Sequence, residues 1–218
     1  MILNILIIII AVTALVSFSA FNNSQLRDKL IYSPYRVKHN KEYSRFFGHL
    51  FIHADMTHLL FNMMSLYFLG ELFLSAPANY YENVNSGLIE NYGVIGGQVH
   101  FFILYFFGGL FATIIPYYRN QDNPNYLALG ASGAVSAVIF AAMLWNPFMK
   151  LHLFFIPIGI PAYIFGPLYI AFEIYQDRRG NTGVAHDAHI GGAIFGVLYV
   201  LIINIDKGKQ LIDMIFSR

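Results

Sequence analysis

An all-α membrane protein with six transmembrane helices is the fold class this sequence predicts, and three observations predict it. The chain of 218 residues is 57% hydrophobic and 11% charged, whereas soluble domains carry about 25% charge. Its mean hydropathy is +0.55. The charges cluster, leaving six mostly apolar stretches near the ~20 residues a membrane-crossing helix needs: 2–21, 56–74, 99–118, 128–148, 151–172 and 188–205. Only the second holds an acid within these bounds, Glu71. Together they make one membrane-embedded domain over residues 1–218.

The first stretch, MILNILIIIIAVTALVSFSA, has a small-x-small pattern at Ser17 and Ser19 that suits a signal cleavage site. No Lys or Arg precedes its apolar core, as a signal peptide usually requires, so it is expected to stay as the first helix. Residues 22–55 are a long basic linker rich in Tyr and Phe. Such rings suit the membrane interface, and the linker is expected to be a folded, partly embedded loop. The second stretch opens with His58 and Asn62, four apart and so on one helix face. Residues 75–98 hold two acids and no base and read as a polar insertion before the third stretch.

The fourth stretch poses the sharpest question. LGASGAVSAVIF, residues 129–140, is uncharged yet begins Gly130-Ala131-Ser132-Gly133, although each glycine costs a helix interior about 0.8–1.0 kcal/mol relative to alanine. Gly133, Ala137 and Ala141 recur every four residues, as do Gly192 and Gly196 in the sixth stretch. Small residues at that spacing let transmembrane helices approach closely, and Gly130 frees the backbone for an unusual turn. The fifth stretch contains FIPIGIPAYIFGPL, with Pro157, Pro161 and Pro167, and is expected to be kinked. The sixth opens His186-Asp187-Ala188-His189-Ile190-Gly191-Gly192.

Polar groups within such spans are costly to bury unpaired and mark function. The three clusters, at His58/Asn62, Ser132 and His186–His189, open even-numbered helices, so an alternating topology places all three at one membrane face. A serine needs a base within hydrogen-bond reach to become a nucleophile, and an attacked carbonyl needs fixed donors for its developing oxyanion. Ser132 with His189 meets the first need; His58, Asn62 and the Ser132 amide meet the second. Plainer readings stand beside this one: a serine bonding its own helix, small residues serving packing alone, Asn62 as interhelical glue. His53, His58, His186 and His189 also read as a metal set with Asp55 or Asp187, but the zinc-protease HExxH pattern is absent, and neither metal nor cofactor is expected. With no cysteine, disulfides and thiol catalysis are excluded. A net charge of +1 speaks against a nucleic-acid partner, and no internal repeat supports a transporter.

From about Arg45 to Val200 the chain resembles the rhomboids, a family of intramembrane serine proteases. The resemblance rests on His53-x4-His58-x3-Asn62, Gly130-x-Ser132-Gly133 and Ala188-His189-x-Gly191-Gly192. It implies a six-helix core around a water-filled cavity, with Ser132 as nucleophile, His189 as general base and His58 and Asn62 as oxyanion donors. His53 would brace the connecting loop, with Gly130, Gly133 and Gly192 as structural support. Substrates would be transmembrane proteins met within membrane lipid, and the location a bacterial inner membrane. Two positions depart from the family. The aromatic that stacks on the catalytic histidine is here Ser136, so His189 is expected to be oriented by Asp187 or by packing from the fifth span. The usual Trp-Arg pair appears as Ser44-Arg45. The positive-inside rule conflicts with the family's orientation, because six of the bases fall in the 22–55 linker; a folded interfacial loop would resolve the conflict. In the fifth span, Phe154, Phe155 and Tyr163 are expected to latch against the second span. The alternative function is a catalytically silent relative that binds or escorts membrane clients.

Overall fold

The computed structural model describes residues 4–76, 86–152, 158–180 and 182–216. Helix α1 (Ile5–Phe21) starts where the Asn4 side chain accepts the Leu6 amide, as an N-cap should. The 22–55 linker is folded: α2 (Ser24–Leu30), α3 (Pro34–Asn40), α4 (Arg45–Gly48) and a 3-10 turn over His49–Phe51. Asn23 caps α2, and Ser33 caps α3 with Pro34 at the first helical position, where its missing N–H costs nothing.

Several of the linker's bases are neutralised locally. The buried Arg45 guanidinium pairs with Glu42 and donates to the carbonyls of Asp28 and Ile31 at 2.5 and 2.7 Å. Arg36 pairs with Asp28, and Lys38 with Asp122. Half of the segment's six bases are thus tied into ion pairs of a folded unit, two within the linker and one to Asp122 beyond it. The unit is tied to the strand leading into Ser132 by a two-way backbone bridge between Tyr32 and Ala128, 2.9 and 3.0 Å.

The remaining helices are α5 (Met56–Ser75), α6 (Leu88–Ala112), α7 (Ile114–Asn120), α8 (Ser132–Trp145), α9 (Ala162–Arg179), α10 (His186–Ile203) and α11 (Ile205–Phe216). Three differ from the sequence reading. Helix α6 begins at Leu88, so much of the expected polar insertion is helical; Leu88 is buried, and Gly93, at φ 74°, breaks the helix near its start. Helix α8 has only 14 residues, because an irregular loop holds Gly130 and Ala131 at one end and Asn146-Pro147 closes the other. The expected fifth span, 151–172, is not continuous. Strands β1 (Lys150–Leu151) and β2 (Ile160–Pro161) pair antiparallel, and α9 starts only at Ala162. Pro161 has no N–H to give a helix interior and stands at its boundary; Pro167 is accommodated inside α9.

Met56–Ser75, Leu88–Asn120 (α6 with α7) and His186–Ile203 are long and apolar enough to cross a membrane, while α1 and α8 are apolar but shorter. Outward-facing Leu15, Leu168 and Ile202 are exposed, the surface a polytopic membrane protein offers to acyl chains. Helix α8 is the centre. It packs on α5, α6 and α10, and all its residues but Ser132 and Ile139 are buried. The contact with α10 is backbone on backbone: a Cβ added at Gly192 would lie 2.0 Å from the Gly133 carbonyl oxygen, and one at Gly196 2.1 Å from that of Ala137. The four-residue glycine spacing is thus spent on drawing these two helices together.

Candidate active site

Ser132 is the first residue of α8 and His189 lies in the first turn of α10. The close α8–α10 approach puts the Ser132 hydroxyl 2.8 Å from Nε2 of His189. Both line a cavity of about 590 Å³ whose walls are α5 (Asn62, Phe68), α8 (Ile139, Met143) and α9 (Phe165, Tyr169). The amides of a helix's first turn have no intrahelical acceptor, so the N–H of Ser132 is free of that ladder.

The loop ahead of Ser132 is held by histidines of the preceding segment. His53 Nε2 accepts the Ala131 N–H at 3.3 Å. That leaves the proton on Nδ1, which donates to Ser17 Oγ at 2.9 Å, and Ser17 in turn donates to the Phe51 carbonyl. Burial, with the nearby His58 next in weight, pushes the His53 imidazole down to about 3, so it stays neutral in this acceptor–donor role. The Gly130 amide donates to the His49 carbonyl at 3.0 Å. Gly130 itself sits at φ 116°, and a Cβ there would meet the His58 ring at 2.7 Å. Both its conformation and that contact demand glycine.

Asn62 is buried and borders the same cavity. One of its amide protons goes to the His58 carbonyl, 2.9 Å away and one turn back; the second remains for the cavity. The Asp55 side chain caps α5 by accepting the His58 amide at 2.8 Å, which fixes the depth of both residues. The His58 ring lies edge-on to His53, centroids 4.9 Å apart. Gly133 and Gly192 sit at the α8–α10 contact described above.

The charged partner of His189 is not the one expected. Asp187 accepts the Ala188 amide and faces Arg119 at 3.5 Å. Residues two apart on a helix point to different faces, so Asp187 cannot also serve His189. Instead Glu173 of α9 places Oε1 3.2 Å from His189 Nδ1 and Oε2 2.6 Å from His186 Nδ1. The first contact is within ion-pair range yet misaligned for a hydrogen bond, so Nδ1 has no strict bonding partner; at this separation the electrostatic attraction holds all the same. The two histidines and Glu173 also form the one potential metal-ligand group among the described residues, different from the histidine–aspartate sets read in the sequence. Sequence reasoning missed Glu173 because the expected fifth span ended at residue 172. Of the expected latch, Phe154 and Phe155 lie outside the described residues, and Tyr163 packs edge-on against Phe148.

Residues 40–205 match the rhomboid domain family. The chain belongs to the rhomboid family. Among similar proteins are the Arabidopsis thaliana "RHOMBOID-like protein 12, mitochondrial", 32% identical over 165 residues, covering 73% of this chain and 45% of that one. The Danio rerio "Presenilin-associated rhomboid-like protein A, mitochondrial" is 32% identical over 106 residues, 48% of this chain and 28% of its own. A Bos taurus "Presenilin-associated rhomboid-like protein, mitochondrial" is 31% identical over 106 residues, with the same shares. The chain thus spans less than half the length of these rhomboid relatives. Their names place them in mitochondria, so they lend no support to a bacterial inner membrane for this rhomboid; that it is a membrane protein stands on its own helices.

Proposed function

We propose that this rhomboid is an intramembrane serine endopeptidase that hydrolyses peptide bonds in or near transmembrane segments of membrane proteins. The observation that carries this reading is the 2.8 Å contact between Ser132 Oγ and His189 Nε2 at the edge of a cavity between helices. In the first step the Ser132 oxygen bonds to the scissile carbonyl carbon while its proton passes to His189 Nε2. The tetrahedral intermediate's oxyanion is met by Asn62, His58 and the Ser132 amide. Collapse breaks the C–N bond, and the leaving amine takes the proton from His189. Water then gives a proton to His189 and attacks the acyl-enzyme, releasing the carboxyl product and restoring Ser132. No metal or cofactor enters these steps, and the partners are transmembrane substrates and lipid. Labelling of Ser132 by a serine-reactive fluorophosphonate tests the reading against a client-binding escort: labelling that vanishes in Ser132→Ala supports it, and no labelling of the intact chain overturns it.

Asn62→Ala is expected to lower kcat by about 10²–10³-fold with little change in KM, since an oxyanion contact acts mainly in the transition state. His58→Ala should behave alike and also melt earlier, because its ring fills the space beside Gly130. Steady-state kinetics on a model substrate checks both; a raised KM at constant kcat would assign these residues to ground-state binding.

Helix α9 packs on α10 and α8 and faces α5 across the cavity, which suggests that a substrate helix passes between α5 and α9. The absence of native cysteine permits a clean test with cysteines at Phe68 and Phe165, two wall residues, joined by a bifunctional thiol reagent. Cleavage of transmembrane substrates should slow by about tenfold or more, as expected when a gating motion is blocked. Unchanged cleavage after complete crosslinking would refute this route.

A further inference from the structure

Beyond Ser132 and His189 the structure holds a buried carboxylate for which the proposed mechanism has no use. Glu173 has 4% of its side chain exposed, on a helix whose neighbouring residues Phe172 and Ile174 face outward. A carboxylate in that position is costly unless each oxygen is met by a donor. The donors around it are His186, the Tyr169 hydroxyl one turn back, and the N–H of His189 Nδ1 at ion-pair range. Thr182 Oγ1 lies 2.8 Å from His186 Nε2; when the hydroxyl donates, His186 carries its proton on Nδ1 and gives it to Glu173 Oε2 at 2.6 Å. One carboxylate oxygen is thereby occupied. The other faces His189 Nδ1 at 3.2 Å, favouring a proton there and leaving the Nε2 lone pair toward the Ser132 hydroxyl. That is the tautomer a general base needs, and the arrangement is the serine–histidine–carboxylate logic of soluble hydrolases.

We propose that Glu173 is the positioning residue of a Ser132–His189–Glu173 relay, one oxygen holding the His189 tautomer while His186, braced by Thr182, holds the other. This rests on the serine-protease reading. The carboxylate keeps the imidazole ring in register through the step in which His189 becomes positively charged, and stabilises that charge at close range. It takes the place of the stacked aromatic that Ser136 lacks, and it joins the catalytic geometry to α9, the wall past which substrate is proposed to move. Two other roles compete. The group could be a structural clasp between α9 and α10, or a metal site. A metal on His189 Nδ1 would force the ring proton onto Nε2, the wrong tautomer for activating Ser132, so bound zinc should inhibit.

The test uses the full chain in detergent with a transmembrane substrate. Glu173→Gln is expected to lower kcat by about 10²–10⁴-fold, the scale set by tautomer-disrupting changes in soluble triads, with KM within about twofold. Glu173→Asp should recover at least a tenth of the lost rate, and Thr182→Val, at the far end of the relay, should lower kcat about threefold to tenfold, within the contribution of general acid–base positioning. Wild-type kcat in Glu173→Gln overturns the relay; if that variant does not fold, wild-type kcat in both Glu173→Asp and Thr182→Val overturns it. A readout independent of turnover is the His189 Nδ1–H resonance in ¹⁵N-histidine-labelled protein, assigned by its loss in His189→Ala. It should be present in Ser132→Ala and lost or shifted in Glu173→Gln; an unchanged resonance refutes the relay even for an inactive chain. Loss of activity in EDTA that zinc restores would overturn the relay, because an active enzyme with a metal on His189 Nδ1 cannot be using the tautomer the relay holds. Equal cleavage by Ser132→Ala and the intact chain would sink the protease reading by itself, whatever Glu173 does.

Discussion

Ser132→Ala and His189→Ala are each expected to abolish cleavage, by at least about 10⁴-fold, in line with single removals of nucleophile or base in soluble serine proteases. The two side chains meet across the α8–α10 contact at 2.8 Å. Without Oγ no acyl-enzyme can form; without the imidazole the hydroxyl keeps its proton at neutral pH. Neither change should disturb the fold. Ser132 is half-buried at a helix end and His189 borders the cavity, so truncation opens space toward that cavity and leaves the core intact. Cleavage of a transmembrane substrate and fluorophosphonate labelling should fall together while thermal melting stays put. Near-wild-type cleavage by either well-folded variant would end the assignment.

Gly196→Ala should have the largest effect of any change away from the site. The added methyl would lie 2.1 Å from the Ala137 carbonyl oxygen, and backbone cannot turn aside as a flexible side chain can. Helices α8 and α10 must separate, at a cost of about 2–3 kcal/mol on the scale of overpacked cores. Because the same two helices carry Ser132 and His189, the separation reaches the site two turns away. A misplacement of about 1 Å can cost on the order of 10²-fold in rate, so kcat should fall even where the protein remains folded. Denaturation midpoints together with single-turnover rates check this, with Ile202→Ala, on the outward face at 81% exposure, as the control expected to change neither. A Gly196→Ala protein with the stability and rate of the parent would show that the helices are not locked at this contact.

How much of this was legible in the chain depends on the range of the interaction. Composition and the spacing of apolar runs determined the membrane class, because the cost of charge in lipid acts on each residue separately. The motifs around Ser132 and His189, and the four-residue rhythm of small residues, determined which helices meet, since that rhythm is a property of one helix face at a time. Hydropathy says how apolar a stretch is and not where its helix begins, so it sets α6 too late in the chain and α9 too early. The second error mattered: with Pro161 ending a hairpin strand, α9 runs past residue 172 and carries Glu173 into the bundle. Nothing local to Glu173 marks it, because its partners His186 and His189 lie on another helix and only packing of α9 against α10 brings them within reach. The same holds for Ser17, His53 and Ala131, three residues of separate segments joined in one brace. The sequence by itself determined the membrane class and the residues of the candidate nucleophile and base; tertiary structure alone decided which carboxylate stands behind the base, since side-chain pairing between helices is set by their packed geometry and leaves no periodic trace along either one.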